Sequence, residues 1–398
     1  MERQKRHIFF ALLTLLLIEP WAKAQQAGPN YEIEARVHYG YMYFQHDIYH
    51  SALGRYSRHT PCYELSVHRN TYGEHRWEVL HNYPSLGITL FYSDFGNDSI
   101  AAELGKAFAL YPFITFPFTP NEKSKLTFKL GVGLSYLTNK FDPKENYHNY
   151  AIGSHVNAAI NLSFEYRQRI VERLHWVSSI GLTHFSNGAT RSPNMGINIF
   201  SVSTGLSWYL LPPKDHIDKK LRPRNYLFEF DGKRHFVTDY QYTCGIKDMS
   251  QQYGTHQYFF VHDLAANFMF ELSERDRLGV GLEMVYDNSD KITRPDWDLY
   301  LKLAFMLSYE TMLDRVSFML NIGLRNNVAL NSHDFGLLFY QKVAARYYFT
   351  DNLFATIAFT TYDIRADFIS VGVGYHIQHK YYLPKHAKNR YRSPIFPR

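Results

Sequence analysis

Alternation with a period of two residues runs through almost the whole chain and constrains the fold more tightly than any other feature. Between 126 and 136 the even positions are Leu126, Phe128, Leu130, Val132, Leu134 and Tyr136, and the odd ones Thr127, Lys129, Gly131, Gly133 and Ser135. The stretch 299–309 repeats this, with Leu301, Leu303, Phe305 and Leu307 on one face, and 316–324 does so again with Ser317, Met319, Asn321 and Gly323 opposite the apolar set. Successive strand side chains point to opposite faces, so each stretch is a strand with one apolar and one polar side. Many strands of about ten residues with this pattern predict a membrane barrel, apolar outside and polar in its lumen.

Composition agrees with that reading. The chain is 17% aromatic, with 32 Tyr and 30 Phe, as the girdles of such a barrel require. Its mean hydropathy of -0.34 suits a membrane protein only if polar residues alternate with apolar ones. No stretch after the first 24 residues reaches the ~18 consecutive apolar residues of a transmembrane helix. The expected fold is therefore all-β, a transmembrane antiparallel up-and-down barrel of the outer membrane with an even strand number between 12 and 16.

Residues 1–24 read as a cleaved secretory signal peptide. Arg3, Lys5 and Arg6 form its basic region, 8–18 its apolar core, and Ala22-Lys23-Ala24 its small-residue cleavage site. No Cys follows that site, which argues against an acylated lipoprotein. The barrel is expected over 25–379 and a basic tail over 380–398. The net charge of +6 is compatible with anionic lipid head groups; an exported chain without a nucleic-acid motif is no nucleic-acid binder. Cys62 and Cys244 lack metal spacing and are either free or paired.

Candidate strands fall near 31–45, 62–70, 86–95, 102–117, 125–138, 152–167, 173–186, 197–210, 224–238, 256–271, 277–288, 297–311, 314–325, 335–349, 352–362 and 366–378. Their connections alternate in length from the fourth strand onward. Those at 117–124, 168–173, 273–277, 312–314 and 350–352 are short; those at 139–149, 237–255, 287–296 and 326–334 are long and polar. Short periplasmic turns and long extracellular loops are the rule in outer-membrane barrels. Two connections break the rule: a long basic one with prolines at 211–225 and a tight one near Asp363.

One stretch carries possible chemistry: Leu182-Thr183-His184-Phe185-Ser186-Asn187-Gly188, followed by Asn194 and Asn198. His184 and Ser186 share one strand face, roughly 6.6–7 Å apart at Cα, so an imidazole can reach a hydroxyl and activate it. Loop parity puts them at the extracellular end of their strand. The even face of that strand (Leu174, Trp176, Ile180, Leu182) is the more apolar, so His184 and Ser186 are expected on the lipid side. Asn198 falls on the same side by the alternation of Phe200, Val202, Leu206 and Trp208. Polar groups on a lipid face default to a functional reading.

His184-Phe185-Ser186-Asn187 with Asn194 resembles the outer-membrane lipid A 3-O-deacylases (PagL-type), especially their longer Bacteroidetes-type acyloxyacyl hydrolase relatives. Further similarity lies in Thr71-Tyr72-Gly73 with Trp77 and Tyr83-Pro84, in 87–97, and in Arg365-Ala366-Asp367-Phe368 with Gly372-Val373-Gly374-Tyr375. The resemblance implies an outer-membrane barrel that hydrolyses the ester-linked 3-hydroxyacyl chain of lipid A, with lipopolysaccharide as its partner and no metal or other cofactor. It implies Ser186 as nucleophile and His184 as base, with Asn187 and Gly188 contributing an oxyanion hole and Asn194 ordering the loop. The shorter deacylases carry an acidic residue where this chain has Asn198. An amide oxygen can fix the imidazole tautomer but cannot stabilise its cation, which predicts slower turnover or an acid from elsewhere, such as Glu283. Gly372 to Tyr375 reads as close strand packing, and Asp296 and Asp298 as lumen or loop residues. The rival readings are a non-catalytic barrel (porin or structural protein) with an open lumen, and an acyltransferase or phospholipase acting on the same interfacial lipids.

Overall fold

The computed structural model describes residues 30–43, 59–73, 75–96, 103–118, 123–213, 233–249, 257–293, 300–328, 337–362 and 365–382. The expected signal peptide, Asp296, Asp298 and all of the tail beyond 382 lie outside them. Sixteen strands follow the expected order: β1 Asn30–Tyr43, β2 His59–Asn70, β3 Ser85–Asp94, β4 Lys106–Pro117, β5 Ser124–Leu137, β6 Val156–Arg169, β7 Leu174–Ser186 and β8 Ile197–Tyr209, then β9 Lys233–Asp248, β10 Tyr258–Glu271, β11 Asp276–Asp287, β12 Leu301–Leu313, β13 Val316–Val328, β14 Leu337–Tyr348, β15 Leu353–Tyr362 and β16 Arg365–Tyr382. Two short helices interrupt them, α1 Arg76–Leu80 and α2 Asp290–Thr293.

The strands close twice. β1 pairs with both β2 and β8, and β9 with both β10 and β16, so the stretch expected as one barrel over 25–379 forms two antiparallel barrels of eight strands. The break in loop parity at 211–225 is the passage between them. The stretch 237–255, expected as a loop, is strand as far as Asp248. Its inward residues Asp239, Gln241 and Lys247 are polar because they belong to the lumen, which disguises the alternation. At the C-terminal end β16 continues to Tyr382, past the expected boundary at 380.

Facing follows the alternation. On β5 Leu134 is 65% exposed on the outer wall while Lys129 is fully buried in the lumen. Eight strands enclose an interior that side chains just fill, and here they fill it with ion pairs. In the first barrel Arg36 binds Glu34 at 2.9 Å and Glu165 at 2.8 Å, and also Glu64. Arg167 bridges Glu32 at 2.5 Å and Glu34. In the second, Arg346 binds Asp239 at 2.6 Å and Glu310 at 3.2 Å, and Lys342 joins Asp263 to Glu283. Cys62 and Cys244 sit on different barrels and are both free thiols.

The barrels stand side by side and touch near both ends. At the end with the short turns, His81, just after α1, donates from Nε2 to the Met312 carbonyl at 2.9 Å, and Arg275 donates to the Leu80 carbonyl at 2.9 Å. Trp77, Leu86 and Ile114 face Leu313, Val316 and Phe318 across an apolar cavity of about 550 Å³. The segment holding Trp77 and Tyr83-Pro84 is thus built around this contact: Thr71 Oγ1 donates to the Pro84 carbonyl at 2.5 Å, and Glu78 accepts from the Gly73 N–H at 2.9 Å.

Removing one partner of such a buried network leaves an uncompensated charge. Arg346→Leu is expected to destabilise the protein by about 3–5 kcal/mol, read as a lowered denaturant midpoint in detergent micelles. Val343→Leu, on the lipid face of the same strand, should stay within about 0.5 kcal/mol.

Candidate active site

Strand geometry alone assembles the polar cluster. His184 and Ser186 lie two residues apart near the end of β7 and point outward. On β8 the residue in register with His184 is Asn198. Directly opposed residues bring their Cβ atoms to about 4.5–5.5 Å, so one strand supplies two members and its neighbour the third.

The hydrogen bonds run in one direction. Ser186 Oγ lies 2.9 Å from His184 Nε2, and His184 Nδ1 lies 2.7 Å from Asn198 Oδ1. An amide oxygen only accepts, so Nδ1 carries the proton and donates it to Asn198. That leaves the Nε2 lone pair to accept from the Ser186 hydroxyl. The result is a neutral imidazole held as a base against a serine, with its tautomer fixed from the far side. Asn198 therefore accepts from the ring nitrogen that faces away from Ser186. Glu283 does not: it lies inside the second barrel, accepting from Tyr340 Oη at 2.7 Å and Lys342 Nζ at 2.9 Å.

The β7–β8 connection folds over this pair. Asn194 Oδ1 accepts the Asn187 N–H at 2.9 Å, a bond within the loop. Asn187 itself is committed, since its Nδ2 donates to Ser154 Oγ at 3.0 Å and to the Arg191 carbonyl at 2.8 Å. With N–H and side chain both occupied, Asn187 is a loop-forming residue here rather than an oxyanion donor. No acceptor among the described residues takes the Gly188 N–H, which makes it the available donor. Gly196, at φ +77°, backs onto the ring; a Cβ there would stand 2.8 Å from His184 Cε1.

Below the cluster the outer wall forms an apolar groove of about 550 Å³, lined by Leu162, Ile180, Leu182, Phe200 and Val202. Leu182 pairs with Phe200 one step beneath the His184–Asn198 pair on the same face. The site thus joins an activatable hydroxyl to a surface suited to an alkyl chain.

The second barrel reaches the same place, which the sequence did not reveal. Asp248, at the end of β9, accepts the Ser192 N–H at 3.1 Å and the Ser192 hydroxyl at its carbonyl at 2.6 Å, and donates its own N–H to the Ala189 carbonyl at 2.9 Å. Phe359 of β15 and Ile369 of β16 approach His184 and Gly188. The signal for these residues was weak: Arg365 to Phe368 marked the neighbourhood, but an outward apolar residue facing protein looks the same as one facing lipid. Of the Gly372–Tyr375 run, Gly372 packs tightly against the Tyr242 carbonyl, as expected. One buried group of possible metal ligands, Glu32, Glu34 and His68, lies in the first lumen, where the Arg167 guanidinium already binds both carboxylates.

Two family models match the chain. The model for lipid A 3-O-deacylase (PagL) matches residues 62–207, and that for the acyloxyacyl hydrolase C-terminal domain matches 236–380, so each falls on one barrel. No curated protein matches the sequence. Among solved structures, the outer membrane enzyme PagL is 13% identical, covering 43% of this chain and 97% of its own, with a TM-score of 0.32. A BenF-like porin from Pseudomonas fluorescens Pf-5 is 7% identical over 90% of this chain and 100% of its own, with a TM-score of 0.24. OccK3 (OpdO) of Pseudomonas aeruginosa is 8% identical over 89% and 96%, with a TM-score of 0.22. TM-scores of this size decide nothing about the site.

The imidazole's position depends on Gly196. Gly196→Ala introduces both a strained φ and a clash with the ring, and a displacement of about 1 Å costs on the order of 100-fold in reactivity. Labelling of Ser186 by a fluorophosphonate is expected to slow by about that factor, while the circular dichroism of the barrels is unchanged.

Proposed function

The chain belongs to the lipid A 3-O-deacylase (PagL) family, with an acyloxyacyl hydrolase C-terminal domain on its second barrel, and from that premise we propose that it is an outer-membrane serine esterase removing the ester-linked 3-hydroxyacyl chain from lipid A. It is a carboxylic ester hydrolase by family. The observation that carries the finer reading is the directed relay from Ser186 through His184 to Asn198, on an outward wall directly above an apolar groove. Substrate then arrives laterally in the outer leaflet, and no passage through a lumen is needed.

The chemistry follows from the proton positions. His184 Nε2 takes the Ser186 proton as Oγ adds to the acyl carbonyl, and the Gly188 N–H donates to the oxyanion that forms. Collapse expels the sugar hydroxyl, which leaves with the proton held on Nε2, and the acyl chain stays on Ser186. Water then adds to the acyl carbonyl and gives a proton to Nε2; collapse breaks the bond to Oγ, which takes that proton back as the fatty acid leaves. Throughout, Asn198 holds the Nδ1 proton. Its amide is neutral, so the imidazolium formed on the way is stabilised less than beside a carboxylate, and a modest rate is expected.

The non-catalytic porin reading draws no support from the interior. A channel needs an aqueous lumen, and both lumens are crossed by fully buried ion pairs.

Mass spectra of lipid A from expressing cells test the function. The wild type should remove one hydroxyacyl chain, and Ser186→Ala should leave lipid A intact, with an in vitro loss of about 1000-fold or more. Identical spectra from the two sink the enzymatic reading. The role of Asn198 has its own test. Asn198→Asp places a carboxylate beside the Nδ1–H, where it stabilises the charge that builds on the ring as Oγ adds; kcat should rise on the order of tenfold, a barrier lower by about 1.4 kcal/mol.

A further inference from the structure

Ser186 stands on the outer wall, yet it is only 1% exposed, whereas Ile180 on the same face of β7 is 60% exposed. The β7–β8 connection supplies part of the covering, and the second barrel supplies the rest. On that side the Phe359 ring lies 6.5 Å from the His184 ring, tilted by 48°. The Ile369 side chain fills the space that a Cβ on Gly188 would enter. Both residues are apolar, point outward from the second barrel and are half-buried. Their neighbours on the same faces, Ile357 and Val371, are exposed to 54% and 60%. The burial is local to the site.

We propose that the second barrel is the far wall of the acyl site, and that Phe359 and Ile369 select the acyl chain by length and bulk. The inference rests on the esterase reading above and adds the source of its selectivity. A site on an isolated barrel wall holds its chain against protein on one side and lipid tails on the other. Lipid tails are as apolar as any side chain, so burial against them discriminates little between chains. A second protein wall replaces fluid lipid by a fixed shape. In a fitted apolar pocket one methylene is worth about 10–200-fold in selectivity. The ester at Ser186 has the groove of Leu182 and Phe200 on one side and Phe359 with Ile369 on the other, so the methylenes next to the carbonyl pass between two rigid surfaces.

The test uses the purified full chain in detergent micelles with p-nitrophenyl esters from butyryl to palmitoyl. Phe359→Ala is expected to shift the palmitoyl-to-butyryl ratio of kcat/KM upward by about fivefold or more. Ile369→Ala should move the ratio the same way, and Phe359→Leu should restore most of the original preference. An unchanged ratio, or an equal loss at every chain length, overturns the proposal while leaving the esterase intact. Absence of hydrolysis by the wild type removes the esterase reading and this inference with it.

Discussion

A backbone inside a bilayer has no water to satisfy its N–H and C=O groups, so every strand needs a partner on both sides. The period-two alternation is the side-chain consequence of that constraint. Once each strand is hydrogen-bonded at both edges, its two faces meet only lipid or lumen, and the residues sort accordingly. Closing the ladder after eight strands, twice, satisfies the constraint as completely as one larger ring would. It differs in what it leaves inside. Two narrow interiors are filled by Arg36, Arg167, Lys342, Arg346 and their carboxylates, whereas a wide ring would hold water.

The site inherits its geometry from the same ladder. Register, rather than loop shape, sets the His184–Asn198 contact, and the two-residue repeat sets the contact of His184 with Ser186. A rigid sheet therefore fixes all three groups, and the loop adds cover, a backbone donor at Gly188 and a packing surface at Gly196. The apolar wall contributes to the chemistry as well. Around a neutral relay it excludes water, so the hydrogen bond that the ring donates to Asn198 holds it without competition from solvent.

Much of this was legible in the sequence because alternation reports directly which way a side chain points. The outward position of His184, Ser186 and Asn198 and the up-and-down strand order follow from it, whereas the strand number was bounded only between 12 and 16. Closure does not, since strands of one large barrel and of two small ones obey the same rule. The one trace was the misplaced long connection at 211–225, where two runs of otherwise regular turns meet. β9 was misread because lumen charges at Asp239 and Lys247 resemble those of a loop. Phe359 and Ile369 stayed hidden for a chemical reason: facing a neighbouring barrel and facing lipid require the same residue types. Asn187 was assigned an oxyanion role from its place in the motif, but hydrogen-bond competition within the loop decides otherwise.

The clamp formed by Asp248 on Ser192 and Ala189 makes the loop of one barrel depend on the other. The first barrel closes through β1 and β8 and carries His184, Ser186 and Asn198 on its own strands. The bonds that hold the β7–β8 connection, however, come from the end of β9, and the contact at Gly188 comes from β16, the last strand to be made. The surroundings of Ser186 are therefore shared, and neither barrel holds them alone. A first barrel on its own would carry the three side chains without the bonds that hold their loop.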